Sequence, residues 1–221
     1  MNRARVGILI SGRGSDALAL IRAAEAADYP AEIALVLSNR PEAPGLARAI
    51  DAGVMALAVD HKTFGQDREA HERAMDALLR EAGVNLVVLA GYMRILTPFF
   101  VGAWAGRMIN VHPSLLPAFP GLHPHRQALD AGVKLHGCSV HWVTNGVDAG
   151  PIIGQAAVPV LENDDEETLA ARVLAAEHRL LPACLAAALT SRRNPVAADQ
   201  VFANPALWTA PCLPLEGGRP K

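Results

Sequence analysis

The chain has 221 residues, 51% of them hydrophobic and 19% charged, with a formal net charge of −2. This predicts one globular core rather than a disordered chain, and gives no electrostatic case for a nucleic-acid or anionic-membrane partner. Three cysteines, Cys138, Cys184 and Cys212, are an odd number without metal-ligand spacing, which suits a reducing, cytoplasmic compartment better than a disulfide framework.

In chain order, the apolar run 6–10 follows basic residues. It is too short for a signal-peptide core and meets a glycine loop instead. No stretch is read as the ~20 apolar residues of a membrane span. Short β-branched runs at 4–10, 33–38, 54–59, 84–90 and 107–112 predict strands, and 16–27, 43–52 and 66–82 have helical composition. Gly53 supplies a helix C-terminus, and Thr97-Pro98 an N-cap followed by proline at the first helical position. This alternation predicts right-handed crossovers and a mostly parallel sheet with helices on both faces. Beyond residue 134 the rhythm changes. Runs 135–143 and 152–160 are strand-like with no long helix between them, so an antiparallel strand is expected at one edge. Residues 162–165 open a final helix to about Leu189. The expected organisation is one domain over 1–190 and a peripheral, proline-rich tail over 191–221.

Residues 11–17, Ser-Gly-Arg-Gly-Ser-Asp-Ala, join the first strand to the first helix. Backbone N–H groups at such a turn, with the helix dipole behind them, suit a phosphate. The spacing Gly12-x-Gly14-x-x-Ala17 also matches a dinucleotide fingerprint, but the acid expected about 20 residues on is replaced by Ser38-Asn39-Arg40. A phosphate-bearing substrate is therefore preferred to a nicotinamide cofactor, with an unliganded tight turn as the remaining alternative. Arg13 either assists an anion or faces water.

Asn110-Val111-His112 is the most informative stretch. Side chains two apart on a strand project to one face, and Pro113 ends regular pairing. An amide and an imidazole side by side at a strand end suit acyl chemistry, in which a developing oxyanion is held and a proton managed. Five of the eight histidines (112, 123, 125, 136, 141) lie close by. His123-x-His125 forms a candidate ligand pair, yet no acidic or cysteine ligand supports it, and Pro120, Gly121 and Pro124 read as a shaped loop, so no metal is expected. His61 and His71 are expected on the surface. Asp148 sits in a glycine-flanked loop, where it either supports a charged histidine or bonds its own backbone. Glu177 falls at the margin of the apolar face formed by Leu169, Val173, Ala176 and Leu180. There it either receives a substrate amine or hydroxyl, or snorkels. No Gly-x-Ser-x-Gly elbow is present, and Cys138 reads as a core thiol.

The segments ILISGRGSD, VVLAGYMRIL (87–96), INVHPSLLPAFPGLHPHRQAL (109–129), HGCSVHWV (136–143) and DAGPII (148–153) together resemble the phosphoribosylglycinamide formyltransferase family. They stand in family order over residues 5 to about 182. The resemblance implies an α/β formyltransferase fold, Rossmann-like, with a mostly parallel sheet and an antiparallel C-terminal edge. It implies formyl transfer from 10-formyltetrahydrofolate, as co-substrate, to the amine of glycinamide ribonucleotide in purine synthesis, without a metal, by a monomer or homodimer. Related enzymes that charge transfer RNA or hydrolyse 10-formyltetrahydrofolate are set aside, because neither an appended nor a preceding regulatory domain is read. Residue by residue, the resemblance places Asn110, His112 and Asp148 as the catalytic trio. Gly14, Ser15, Asp16 and Glu177 match the nucleotide-substrate site. Arg68, Met93, Arg94, Ile95, Leu96 and Asn110 match the formylfolate site. One departure stands out: the family usually has asparagine where this chain has Asp16.

Overall fold

A computed structural model describes residues 3–190; the 191–221 tail and Cys212 lie outside the described residues. In chain order the elements are β1 (Ala4–Ile10), α1 (Ser15–Ala24), β2 (Ala31–Ser38), α2 (Pro44–Asp51), β3 (Ala56–Ala58), a 3-10 turn (His61–Phe64), α3 (Arg68–Glu81), β4 (Leu86–Leu89), α4 (Pro98–Ala103), β5 (Met108–His112), α5 (Pro124–Asp130), β6 (Leu135–Trp142), β7 (Ile152–Pro159) and α6 (Glu166–Thr190). They build a seven-stranded sheet in the order β3-β2-β1-β4-β5-β6-β7. The first five strands run parallel and β6 and β7 are antiparallel, so the sheet is mostly parallel with an antiparallel C-terminal edge, as expected.

The sheet is covered on both faces because its strands are apolar on both. On β1, Val6, Ile8 and Ile10 join the core beneath α1 and α6, while Leu9 joins Met75, Leu79, Phe100 and Trp104 beneath α3 and α4. Burial of a side chain of this size stabilises by about 1.5–3 kcal/mol. Strand order reverses at β1, with β2 on one side and β4 on the other. Chains leaving β1 and β4 therefore diverge to opposite faces and open a crevice beyond their carboxyl ends.

Three expectations need correction. First, α6 is long and apolar enough, by length and composition, to cross a membrane. Its apolar face (Leu169, Val173, Leu180, Leu181, Cys184, Leu185) is instead buried in the core, and Arg172, His178 and Arg179 occupy the rest. Second, the loop expected at Pro120, Gly121 and Pro124 ends at His123, because Pro124 opens α5. Proline at the first helical position lacks only an N–H that has no intrahelical partner anyway. Third, His71 is buried. It lies one turn before Met75 on the inner face of α3, with Nε2 2.9 Å from the Val59 carbonyl. His61 is half-buried beside the Asn39 carbonyl, at 2.7 Å. Thr97 does precede Pro98 at the start of α4, but its side chain makes no cap; its hydroxyl donates to Glu72 on α3.

Candidate active site

The glycine loop closes over the carboxyl end of β1. Gly14 is the N-cap of α1, in the left-handed region at φ 67° with no side-chain cap, so the first-turn N–H groups of α1 remain available to an anion. A Cβ at Gly14 would lie 2.8 Å from the Gly45 Cα. The backbones of this loop and of α2 therefore meet directly, held by Gly45 N–H donating to the Gly12 carbonyl at 3.0 Å. Ser15 begins α1, and Arg13 faces solvent.

Asp16 lies in the first turn of α1. Its carboxylate is buried between α1 and α6, with Oδ1 3.6 Å from His178 Nε2. That contact is electrostatic only, because neither atom has a hydrogen-bond partner. Burial pushes the Asp16 carboxyl above its ordinary range, and His178 opposes this in part. Glu177 does not snorkel. It is 6% exposed, and burial first, then Asp16, hold its carboxyl well above the ordinary range. Asp16 in place of an amide thus loads a second acid into a pocket that already holds one. A carboxylate whose folded pKa is raised weakens the fold as pH climbs from its unfolded value, 3.8, through the folded one. We expect Asp16→Asn to raise the thermal midpoint at pH 7, by about 2–4 °C per kcal/mol relieved, with the gain vanishing below pH 4. Paired melts at pH 7 and pH 3.5 check this; no gain at pH 7 would contradict it.

The loop leaving β4 carries the 93–96 run expected at the formylfolate site. Met93 and Ile95 are 75% and 66% exposed, while Arg94 and Leu96 are half-buried. Arg68 is the exposed first residue of α3, one turn before Glu72 on the same helix face. Glu72 accepts the Thr97 N–H at 2.9 Å, which brings this end of α3 against the loop.

At the end of β5 the expected trio meets. His112 Nδ1 lies 3.3 Å from Asp148 Oδ2, and Asn110 donates through Nδ2 to Asp148 Oδ1 at 3.4 Å. Asn110 is partly exposed and His112 buried. Asp148 does not bond its own backbone; Gly121 N–H donates to its Oδ2 at 2.9 Å. Its backbone is left-handed, φ 50°, a conformation that costs a non-glycine residue roughly 1–3 kcal/mol and persists where the surroundings impose it. Burial raises the Asp148 carboxyl, but nearby His141, the Gly121 N–H and the charge of His112 outweigh it and leave the carboxyl below its ordinary range. His112 Nε2 faces the Phe119 carbonyl at 3.0 Å. Both ring nitrogens thus confront acceptors, which only a doubly protonated ring satisfies together.

His141 belongs to this group, although its role did not emerge from the sequence. It pairs with Asn110 across the antiparallel β5–β6 ladder, with Nε2 3.2 Å from Asn110 Nδ2 and 3.6 Å from Asp148 Oδ1. The signal was the odd-numbered face of β6 (Gly137, Ser139, His141), but reading it required the register. Ser139 on the same face accepts Leu116 N–H at 3.0 Å and donates to the Ser114 carbonyl at 2.7 Å, fixing the loop after His112. His125 turns to His136, at 3.2 Å, and away from His123, which is exposed. Burial, then His125, push His136 down to about 4. Cys138 is fully buried, and burial raises its thiol, so it is a core residue.

Residues 4–185 match the formyl transferase family model. The chain is 46% identical to phosphoribosylglycinamide formyltransferase of Escherichia coli, over 79% of this chain and 82% of that protein. This chain belongs to the phosphoribosylglycinamide formyltransferase family. The fold agrees: a crystal structure of the Brucella melitensis phosphoribosylglycinamide formyltransferase superposes with a TM-score of 0.82 at 52% identity, covering 88% of this chain and all of that one. The trifunctional purine biosynthetic protein of Drosophila melanogaster is 50% identical over 83% of this chain, but the chain spans only 14% of that protein's length. Within this formyltransferase frame, the glycine loop, the 93–96 run with Met93 and Ile95 exposed, and the Asn110–His112–Asp148 group lie at the carboxyl ends of β1, β4 and β5.

Proposed function

We propose that this family member transfers the formyl group of 10-formyltetrahydrofolate to the primary amine of glycinamide ribonucleotide, yielding the formylated amide and tetrahydrofolate. The observation that carries this reading is the convergence of the Asn110 amide and the His112 imidazole on Asp148 at the end of β5, in a chain that matches the formyl transferase family. The neutral amine attacks the formyl carbon, forming a C–N bond, and the carbonyl electrons move onto oxygen. The tetrahedral intermediate collapses with rupture of the bond to N10. The amine loses one proton and N10 gains one, so the balance closes. Asn110 Nδ2 and protonated His112 donate to the oxyanion, the formyl oxygen replacing the Phe119 carbonyl as acceptor at Nε2. His112 relays the proton to N10, and Asp148 stabilises the imidazolium.

The α1 first turn (Gly14, Ser15 and Asp16) supports a site for the phosphate through its backbone N–H groups, and Glu177 one for the rest of the nucleotide. Arg68 and the run Met93, Arg94, Ile95 and Leu96, with Asn110, support a folate site: apolar side chains exposed on a backbone held from behind suit a flat ring system. The activated one-carbon unit arrives on the folate, and the reading includes no metal. The buried free thiols of Cys138 and Cys184 favour a reducing, cytoplasmic setting, with small-molecule partners and a monomer or homodimer. The test is an assay of 10-formyltetrahydrofolate consumption with and without glycinamide ribonucleotide. The reading predicts amine-dependent deformylation without free formate; amine-independent formate release would mark a hydrolase instead.

A further inference from the structure

We propose that Ser11, which follows β1 and opens the 11–17 loop, is a positioning residue for the folate side of the reaction; this rests on the folate reading of the 93–96 run. Ser11 is buried at the carboxyl end of β1 and makes three short bonds. Its N–H donates to the Gly91 carbonyl at 3.1 Å. Its hydroxyl donates to Asn39 Oδ1 at 2.6 Å and accepts the Met93 N–H at 2.8 Å. The directions are forced. A hydroxyl has one proton and two lone pairs, an amide oxygen only accepts, and a backbone N–H only donates. Asn39, itself buried, therefore takes the proton and turns the lone pairs toward Met93.

The consequence is specific to one substrate. The segment 91–97 is held at its start by Ser11 and at its end by Glu72, which accepts both the Thr97 N–H and hydroxyl. Between the two pins, Met93 and Ile95 project outward, 75% and 66% exposed. A backbone fixed from below with its apolar side chains left open is a preformed surface, and preformation reduces the ordering cost of binding. Gly91, at φ 75°, gives the turn that brings Met93 back over Ser11. The hydroxyl thus ties the folate-side loop to the strand that carries the phosphate-side loop.

The test compares the native protein with Ser11→Ala, and with Ser11→Thr, which keeps a hydroxyl. Three readouts are taken: hydrogen exchange of the Met93 amide, titration with a folate analogue that carries no transferable group, and KM for each substrate. In Ser11→Ala we expect the Met93 amide to lose protection. The analogue Kd and the KM for 10-formyltetrahydrofolate should rise by about 3- to 10-fold, the worth of one hydrogen bond. The KM for glycinamide ribonucleotide should stay within about two-fold, and Ser11→Thr should recover most of the folate affinity. Unchanged folate affinity in Ser11→Ala, or an equal rise in both KM values, overturns the assignment while leaving the formyltransferase reading intact. Failure of the native protein to bind the folate analogue overturns both.

Discussion

Asn110→Ala and His112→Ala are each expected to lower kcat by about 10²–10³, equivalent to roughly 2.7–4 kcal/mol of barrier, with the fold preserved. The size follows from what each group does in the transition state. A planar formyl oxygen carries little charge, whereas the tetrahedral oxyanion carries nearly a full one, so a donor aimed at it contributes mainly after attack has begun. Asn110 and His112 project from one face of β5 and converge on a single carboxylate, which keeps them oriented before substrate arrives. Both residues lie outside the two hydrophobic clusters that Ile109 and Met108, on the same strand, join. Steady-state kinetics of the purified variants, with circular dichroism as a fold control, check the prediction. Near-native turnover in either variant contradicts it.

Asp148→Asn is the second large effect, a loss of about 10²–10⁴ in kcat, the range of a general acid or base deprived of its support. The carboxyl of Asp148 is held below its ordinary range by His141, Gly121 and His112 against the opposing effect of burial. It is therefore charged throughout the working pH range and favours the imidazolium beside it. Asparagine keeps the shape but removes that charge, so the limb on which the rate falls through imidazolium deprotonation should move to lower pH. The stability linkage has a definite sign as well. A carboxylate whose folded pKa lies below its unfolded value, 3.8, contributes stability above that value and loses it as pH falls through the folded one. Acid titration of Asp148→Asn should therefore lack the part of the native protein's destabilisation that begins just below pH 4. A pH–rate profile superposing on the native one would reduce Asp148 to a loop residue.

Much of this architecture was legible because its signals are local. The first strand, Ala4–Ile10, matches its predicted bounds residue for residue, since the apolar run 6–10 ends in a glycine loop. The pairing of Asn110 with His112 needed only the two-residue strand period. The misreadings share a different origin. α5 was hidden because prolines and a glycine at 120–124 were weighed as loop formers, although Pro124 also suits a helix start. His71 has polar neighbours, but its spacing to Met75 and Leu79 places it on the buried face of α3. His141 is 31 residues from Asn110, and only the antiparallel register brings them together. Asp148 remained open between two roles because its neighbour Gly121 comes from a distant loop. Glu177 sat at a helix margin whose burial depends on how α6 packs against α1. Nonlocal register and helix docking, rather than propensity, decide His141, Asp148 and Glu177.

The most direct measurement of the central claim is the affinity of a tetrahedral mimic, a folate analogue bearing a hydrated aldehyde where the formyl carbon would sit. Asn110 and His112 are held to recognise the oxyanion rather than the planar substrate, so the two variants should bind this mimic about 10²–10³-fold more weakly than the native protein. Their affinity for the planar folate analogue should stay within a few-fold. Equal losses for the tetrahedral and planar compounds, or none for either, would contradict the account.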